Sequence, residues 1–361
     1  MRKILTVFSL LLILLQFSSC DFKQPAFGPE DEIIVVADSA EFESLKPALD
    51  STFAKIIYTP QPEKLFDLVQ VPEEEMNRYK NRKNIIIIAP FNSNSNTGKF
   101  VRASVDPKLK TKILKDSVFE ITKYGLWARD QLVMLLTAPT MDKLISDIYG
   151  SKDNLLYAFQ KISDKRLYAN IYNSEYEKKK IEGQFLKKYG WVIYVQADYQ
   201  LALNKPKSNF IWIRRGVNTD MERWIFVHWI DNANPDYLNA DSVRSIRNRM
   251  TKEFYRSADD SSYVVIAGDY YTTTEVNFHG RYALLTQGLW EMNTKGMGGP
   301  FLNYTFYDEK THRLYMIDGS IYAPKYYKRN LIQQMDVVLQ SFRTSDELSK
   351  DRRKELISDA E

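Results

Sequence analysis

The chain has 361 residues, 44% hydrophobic and 27% charged, and a formal charge of +4 that falls to +2 once Arg2 and Lys3 are removed with a leader. That composition is ordinary for a globular fold, and so small a charge excess carries no electrostatic footprint for nucleic acid. A single cysteine excludes an internal disulfide, and the length suits two domains or one large one.

The first element is a leader. Arg2 and Lys3 precede an apolar run, residues 4–15, which is too short to span a bilayer as a helix. Ser18 and Ser19 then lead into Cys20. A basic start, a short apolar core and a small-residue exit mark an export signal. A cysteine at the cleavage point predicts a lipoprotein: residues 1–19 are removed and Cys20 is acylated. Phe17 stands where such signals usually carry Leu. Each buried acyl methylene contributes about 0.8 kcal/mol, so several chains hold a protein durably on the membrane.

Residues 20–32 read as a tether, with Pro25, Gly28 and Pro29. The unbroken apolar run 33–37 predicts a buried strand, and Ser39 a helix cap. Strands are expected at 64–71 and 84–89, with a short helix at 73–80 between them. Residues 92–98 read as a polar loop, and 119–124 and 131–138 as further strands. From 140 to 188 the pattern is helical, broken near Gly150.

After Gly190, strands are predicted at 191–195, 199–203, 210–214 and 224–230, with a hairpin turn at 216–220. Asp241 or Ser242 caps a helix to about 254. Strands follow at 262–267, 271–276, 281–292, 301–307 and 313–322. A last amphipathic helix is expected at 326–342, and the charged residues 344–361 read as a fraying tail. The 23 Tyr, 19 Phe and 6 Trp alternate within these strand-like runs. They therefore read as sheet core in preference to a sugar-stacking surface. The expected class is α+β, mostly antiparallel sheets with packed helices. Its units are residues 33–188 and 189–343, read as two related layers.

Chemistry-bearing motifs are scarce. His228, His279 and His312 lack the spacing of a metal site, so no metal or other cofactor is expected. His228 alternates in register with Trp224, Phe226 and Ile230, which makes it a sheet histidine. His279, in a turn before Arg281, is the acid–base candidate by exclusion. The glycine-rich stretch Met297, Gly298, Gly299, Pro300 and Phe301 precedes a strand, so it does not cradle phosphate. It reads as a tight turn using positive φ and close backbone approach, or as a loop whose amides receive a ligand or partner. With His279 and Arg281 it forms the candidate ligand or partner loop. Asp231, Glu275, Glu291 and Asp318 are the carboxylates that a fold could bring together for glycan hydrolysis.

The Ser18-Ser19-Cys20 exit, the 33–37 opening, Asn209 to Trp212, Gly288-Leu289-Trp290, Met297 to Phe301, Tyr322-Ala323-Pro324 and Lys328-Arg329 together resemble an uncharacterised lipoprotein family of the Bacteroidota, a domain of unknown function. The likeness covers nearly the whole chain after Cys20. It implies an envelope location and supplies no catalytic residues. The segment after Cys20 lacks the dense acidic export signal used in that phylum, which favours an outer-membrane anchor facing the periplasm. The expected function is a non-catalytic binding or assembly module, held to the membrane through Cys20, with an envelope protein or cell-wall material as partner and no nucleic acid. The alternative is an envelope glycan hydrolase.

Overall fold

A computed structural model describes residues 23–361 except Tyr58, Lys295 and the side chain of Asp269. The leader and Cys20 lie outside the described residues. Two compact units result: residues 23–54 with 66–162, and Lys55–Leu65 with Ser163–Glu361. The second boundary thus falls between Ile162 and Ser163, inside what the sequence pattern reads as the first unit.

Strands are numbered along the chain. In the first unit β1 (Glu32–Val36) is followed by β4 (Asp67–Val71), β5 (Asn84–Ile88), β6 (Glu120–Tyr124) and β7 (Leu132–Leu136); the short β2 (Ile56–Ile57) and β3 (Glu63–Lys64) belong to the second unit. The sheet order is β4-β1-β5-β7-β6. The first three pairings are parallel and only β6 runs antiparallel. Every residue of β5 and β7 is buried, and so are Ile33 to Val36 of β1. Apolar runs without alternation belong to strands covered on both faces, the signature of a parallel sheet. This unit is therefore the exception to an otherwise antiparallel protein, and the two units do not share a topology.

Helix boundaries differ from expectation in instructive ways. Asp38, not Ser39, caps the helix Ser39–Phe53, accepting the amides of Ala40 and Glu41 at 3.0 and 3.3 Å. The stretch read as a polar loop starts the helix Asn96–Ser104. Ser95 caps it by accepting the Gly98 amide at 3.0 Å. Helix Met141–Ile171 passes straight through Gly150; one glycine costs only about 1 kcal/mol in a helix, which apolar residues such as Leu144, Ile148 and Leu155, all buried, outweigh.

In the second unit β8 (Trp191–Val192) is followed by β9 (Tyr199–Lys205), β10 (Phe210–Arg215), β11 (Glu222–Asp231), β12 (Val264–Phe278), β13 (Arg281–Met292), β14 (Gly298–Asp308), β15 (Arg313–Tyr322) and β16 (Arg343–Thr344). Seven of them form one antiparallel sheet, ordered β12-β13-β14-β15-β11-β10-β9. Strand alternation gives it two apolar faces. Ile211, Ile213, Ile225, Val227, Tyr304 and Ile317 share one core with Met335 and Leu339 of the helix Arg329–Leu339. Phe210, Trp212, Trp224, Phe226, Phe301 and Met316 share the other with Val243, Ile246 and Met250 of the helix Ala240–Phe254. The α+β class follows from these two sheets with their helices.

Two remote segments complete this unit. Glu63, 6% exposed, accepts the backbone amides of Lys328 and Arg329 at 2.7–2.9 Å. Its carboxylate thus meets the positive N-terminal end of the helix Arg329–Leu339. The charged segment 344–361 does not fray. It contains the helix Lys350–Asp359, whose Leu356 is fully buried and whose Arg352 bridges Glu177 and Glu182. Gly183 allows the approach, because a Cβ there would overlap the Leu356 carbonyl oxygen.

Candidate functional site

The glycine-rich stretch is not a turn. Gly298 to Phe301 already lie in β14, paired with Gly288 to Glu291 of β13. Neither Gly298 nor Gly299 has positive φ; in this region that falls to Gly296, at 99°. The close-approach half of the expectation fits. A Cβ on Gly299 would overlap the Ile321 carbonyl oxygen, and one on Gly298 would sit 2.7 Å from the Trp290 carbonyl oxygen. Met297 is exposed, while Gly299, Pro300 and Phe301 are buried.

His279 and Arg281 lie at the other end of β13, ten residues away and so about 30 Å along the strand. The fold does not bring them to residues 297–301. His279 Nε2 lies 2.8 Å from the Gln340 carbonyl oxygen, and burial first, then the charge of Arg343, pushes its pKa down. Arg281 lies over Phe306, at 4.3 Å from guanidinium carbon to ring centre, and pairs with Asp308 and Glu347. Both side chains tie the β12–β13 hairpin to its neighbours, Phe306 and Asp308 of β14 and the residues Gln340, Arg343 and Glu347. Nor do the four carboxylates converge. Asp318 is sealed in the core with Arg247, Asp231 is bonded to Arg313, and Glu275 and Glu291 lie far apart along β12 and β13. Among the described residues no three His, Cys, Asp or Glu side chains could hold a metal ion, and no helix is long and apolar enough to cross a membrane.

One cleft does combine polar groups with an unfilled bonding capacity. It forms where β10 begins and β11 ends. The turn Pro206–Ser208 leads into Asn209 at φ 49°, a left-handed conformation that asparagine adopts more readily than most residues. This aims the Asn209 carbonyl at β11, where it accepts the Trp229 amide at 3.2 Å and meets His228 Nδ1 at 2.9 Å. Asn209 Nδ2 donates to Asp231 Oδ2 at 2.9 Å, and Arg313 Nε donates to Asp231 Oδ1 at 2.6 Å. The facing wall is the helix Ala240–Phe254, capped by Asn239. Ser242, Ser245, Ile246 and Arg249 recur there at three- and four-residue spacing and so share one face. With Lys207 and Tyr237 they line about 620 Å³.

His228 forms the floor and is 6% exposed. A carbonyl can only accept, so Nδ1 carries the imidazole proton and Nε2 keeps its lone pair. That Nε2 is buried and has no hydrogen-bond partner among the described residues. Burial pushes the His228 pKa down to about 4; the Asn209 carbonyl opposes this, the Arg249 charge reinforces it, and the Ser208 carbonyl opposes it in smaller part. The group is therefore a neutral acceptor at pH 7. As a general base it is mismatched, since proton transfer works best with a pKa near the working pH. Lys207 and Arg249 have no ion-pair partner among the described residues, so the cleft presents positive charge, hydroxyls and one buried acceptor.

The depressed His228 pKa makes a prediction. Its folded value lies below the unfolded one, so its contribution to stability is complete above pH 6.5 and is lost as pH falls through about 4. The window spans about 3 kcal/mol. In His228→Asn the amide replaces the Nδ1 donor without titrating. The stability advantage of wild type over this variant is expected to shrink by that amount between pH 6.5 and 4, read from urea unfolding. Taking the difference cancels groups such as Asp336, which burial raises to about 6 and which pulls the other way. A difference that does not move with pH would contradict the buried neutral imidazole.

His228 was legible as a sheet histidine. Its cleft was not, because the Asn209 twist and the helix face meet only in the fold. The nearest sequence signal is Pro206 followed by Asn209, a turn pattern directly before a strand.

Two family models match parts of the chain. Residues 175–341 match the family model described as a domain of unknown function (DUF4837), and residues 26–172 match a second domain of unknown function (DUF8532). No curated protein matches. Among solved structures, the Saccharomyces cerevisiae Ran-binding protein Mog1p is 9% identical over 44% of this chain and 92% of its own, with a TM-score of 0.30. A Bacteroides thetaiotaomicron crystal structure is 6% identical over 45% of this chain and 46% of its own, with a TM-score of 0.25.

Proposed function

We propose that this chain is a lipid-anchored envelope protein that binds a polar partner in the His228 cleft and carries out no chemistry there. The anchor reading rests on Arg2, Lys3, the apolar run 4–15 and the Ser18-Ser19-Cys20 exit. Acylated Cys20 holds the protein on the outer membrane, with the globular part in the periplasm. Envelope protein or cell-wall material is the partner class.

The observation that carries the binding reading is His228 Nε2, a buried acceptor without a donor among the described residues. A buried polar atom left unsatisfied costs about 1–3 kcal/mol. An incoming hydroxyl or amide would recover that energy. Lys207, Arg249 and the serines at the rim suit a ligand rich in hydroxyl and acidic groups, such as a cell-wall glycopeptide.

Two measurements test this reading. Cys20→Ser should move the protein from the membrane to the soluble fraction and abolish labelling by radioactive palmitate; a variant that stays in the membrane would overturn the anchor. Full-length protein in detergent should bind a soluble muropeptide digest by calorimetry. Ser245→Trp, on the exposed helix face, should fill the cleft and weaken binding at least about tenfold with little change in melting temperature, because surface substitutions rarely alter stability much. Equal affinity in wild type and variant would reject the cleft as the site.

A further inference from the structure

The second polar cavity lies on the opposite face of the same sheet. On β10 and β11 the side chains alternate, so Arg215 and Arg223 share the face of Ile213 and Ile225, away from His228. Arg215 and Arg223 sit directly opposite each other across the two strands, and Tyr199 of β9 lies opposite Arg215 on the other side. Like charges in directly opposed sheet positions repel. Arg223 is also covered, at 8% exposed, while Arg215 is part-buried, and the cavity between the arginines and the helices Met141–Ile171 and Arg329–Leu339 measures about 250 Å³.

The two guanidiniums share too little negative charge. Arg215 Nε pairs with Asp198 Oδ2 at 2.5 Å, and Arg215 Nη1 donates to Gln196 Oε1 at 3.0 Å. Asp198 is half exposed and is the one carboxylate engaged there among the described residues. Among the described residues Arg223 has only a weak contact from Nη2 to Met221 Sδ at 3.4 Å, and its Nε is buried without a partner. Burial first, then the charge of Arg215, pushes the Arg223 pKa down, as expected of a guanidinium lacking a counterion. Removing a charge from water without pairing it is costly. A fold that does so directly opposite a second arginine has a place for an anion.

We propose that Arg215 and Arg223 form a binding site for the carboxylate of a small organic acid. The planar forks of arginine match a carboxylate in bidentate geometry. The cavity has an apolar part, Ile171, Met335 and Val338, that takes a short carbon chain, and amides at Asn170 and Gln334 for its remaining polar groups. Its volume lies below the range usual for drug-sized ligands, so the occupant is a small acid or the end of a chain. This site is independent of the His228 cleft and stands or falls separately.

Full-length protein in detergent is titrated calorimetrically with succinate, with inorganic phosphate and with chloride, at equal ionic strength and pH 7. Succinate is expected to bind saturably and to raise the melting temperature, whereas chloride does neither. Arg223→Lys keeps the charge but loses the fork, and should weaken succinate at least about tenfold. Arg223→Met should abolish binding and melt no lower than wild type, because it removes an uncompensated buried charge. Absence of saturable succinate binding to wild type overturns the proposal, and this reading does not depend on either variant folding. Unchanged affinity in Arg223→Lys, or phosphate binding tighter than succinate, overturns the carboxylate assignment.

Discussion

Replacing Asp318 by Ala is expected to destabilise the protein by about 3–5 kcal/mol, the effect of breaking a buried ion pair and leaving one charge alone. Asp318 and Arg247 both have fully buried side chains. Arg247 Nε donates to Asp318 Oδ2 at 2.6 Å, and Arg247 Nη2 donates to Ser320 Oγ at 3.1 Å. Asn303 Nδ2 donates to Asp318 Oδ2 at 3.1 Å, Ser320 Oγ to Asp318 Oδ1 at 2.9 Å, and Thr305 Oγ1 to Asn303 Oδ1 at 2.8 Å. The flat side of the guanidinium rests on Phe301, at 3.7 Å from the ring centre. This cation–π contact contributes about 2 kcal/mol when desolvated. Removing the carboxylate strands the guanidinium and leaves three donors without an acceptor. Removing both charges is different: Arg247→Met with Asp318→Leu should recover most of the loss, because buried pairs often gain little over apolar substitutes. Urea unfolding of wild type and the two variants decides the matter. A loss under about 1 kcal/mol in Asp318→Ala would show that water reaches the pair, contrary to its burial.

Gly299→Ala should be the costliest of the single-methyl additions in residues 296–299, at about 2–4 kcal/mol. Its Cβ would overlap the Ile321 carbonyl oxygen and lie 3.2 Å from Trp290 Nε1. Those two atoms are bonded to each other, Trp290 Nε1 donating to Ile321 O at 3.1 Å. The substitution therefore forces two strands apart and breaks a buried hydrogen bond under a fully enclosed indole. Gly296→Ala provides the comparison. There φ is 99°, and nothing lies within 4 Å of the added atom. Only backbone strain opposes that change, about 1–2 kcal/mol. Denaturant midpoints should fall in the order wild type, Gly296→Ala, Gly299→Ala. A larger loss at Gly296 than at Gly299 would restore the turn reading and reject the packing one.

These two sites explain why the glycine-rich stretch stands out in the sequence. Its glycines admit neighbouring strands, and its phenylalanine carries a buried arginine. The pattern is a folding feature of the sheet; His228 Nε2 and Arg223 Nε, two of the buried polar atoms without a partner among the described residues, lie elsewhere.

Much of the strand pattern was legible because each strand of the large sheet alternates between two cores. Trp224, Phe226 and His228 face one way, and Ile225, Val227 and Trp229 the other. Unbroken runs such as Asn84–Ile88 signal strands buried on both faces, and the fold pairs them in parallel. At Asp38 and Ser39 the sequence leaves the helix start ambiguous by one residue, because Asp and Ser are both good caps and only the bond to the Ala40 amide distinguishes them.

What the amino-acid order determined by itself was local: apolar periodicity, caps, turns and the number of charges, because each depends on residues a few positions apart. Tertiary structure decided everything that depends on distant residues meeting. Glu63 reaches the amides of Lys328 and Arg329, Arg247 reaches Asp318, and Arg352 reaches Glu182. Those contacts turn an apparently fraying tail into a packed helix and an ordinary arginine into a core residue. They also fix which polar atoms end without partners. His228 and Arg223 look unremarkable in sequence; burial, which only the assembled sheets and helices impose, withdraws water from them and leaves their bonding capacity open.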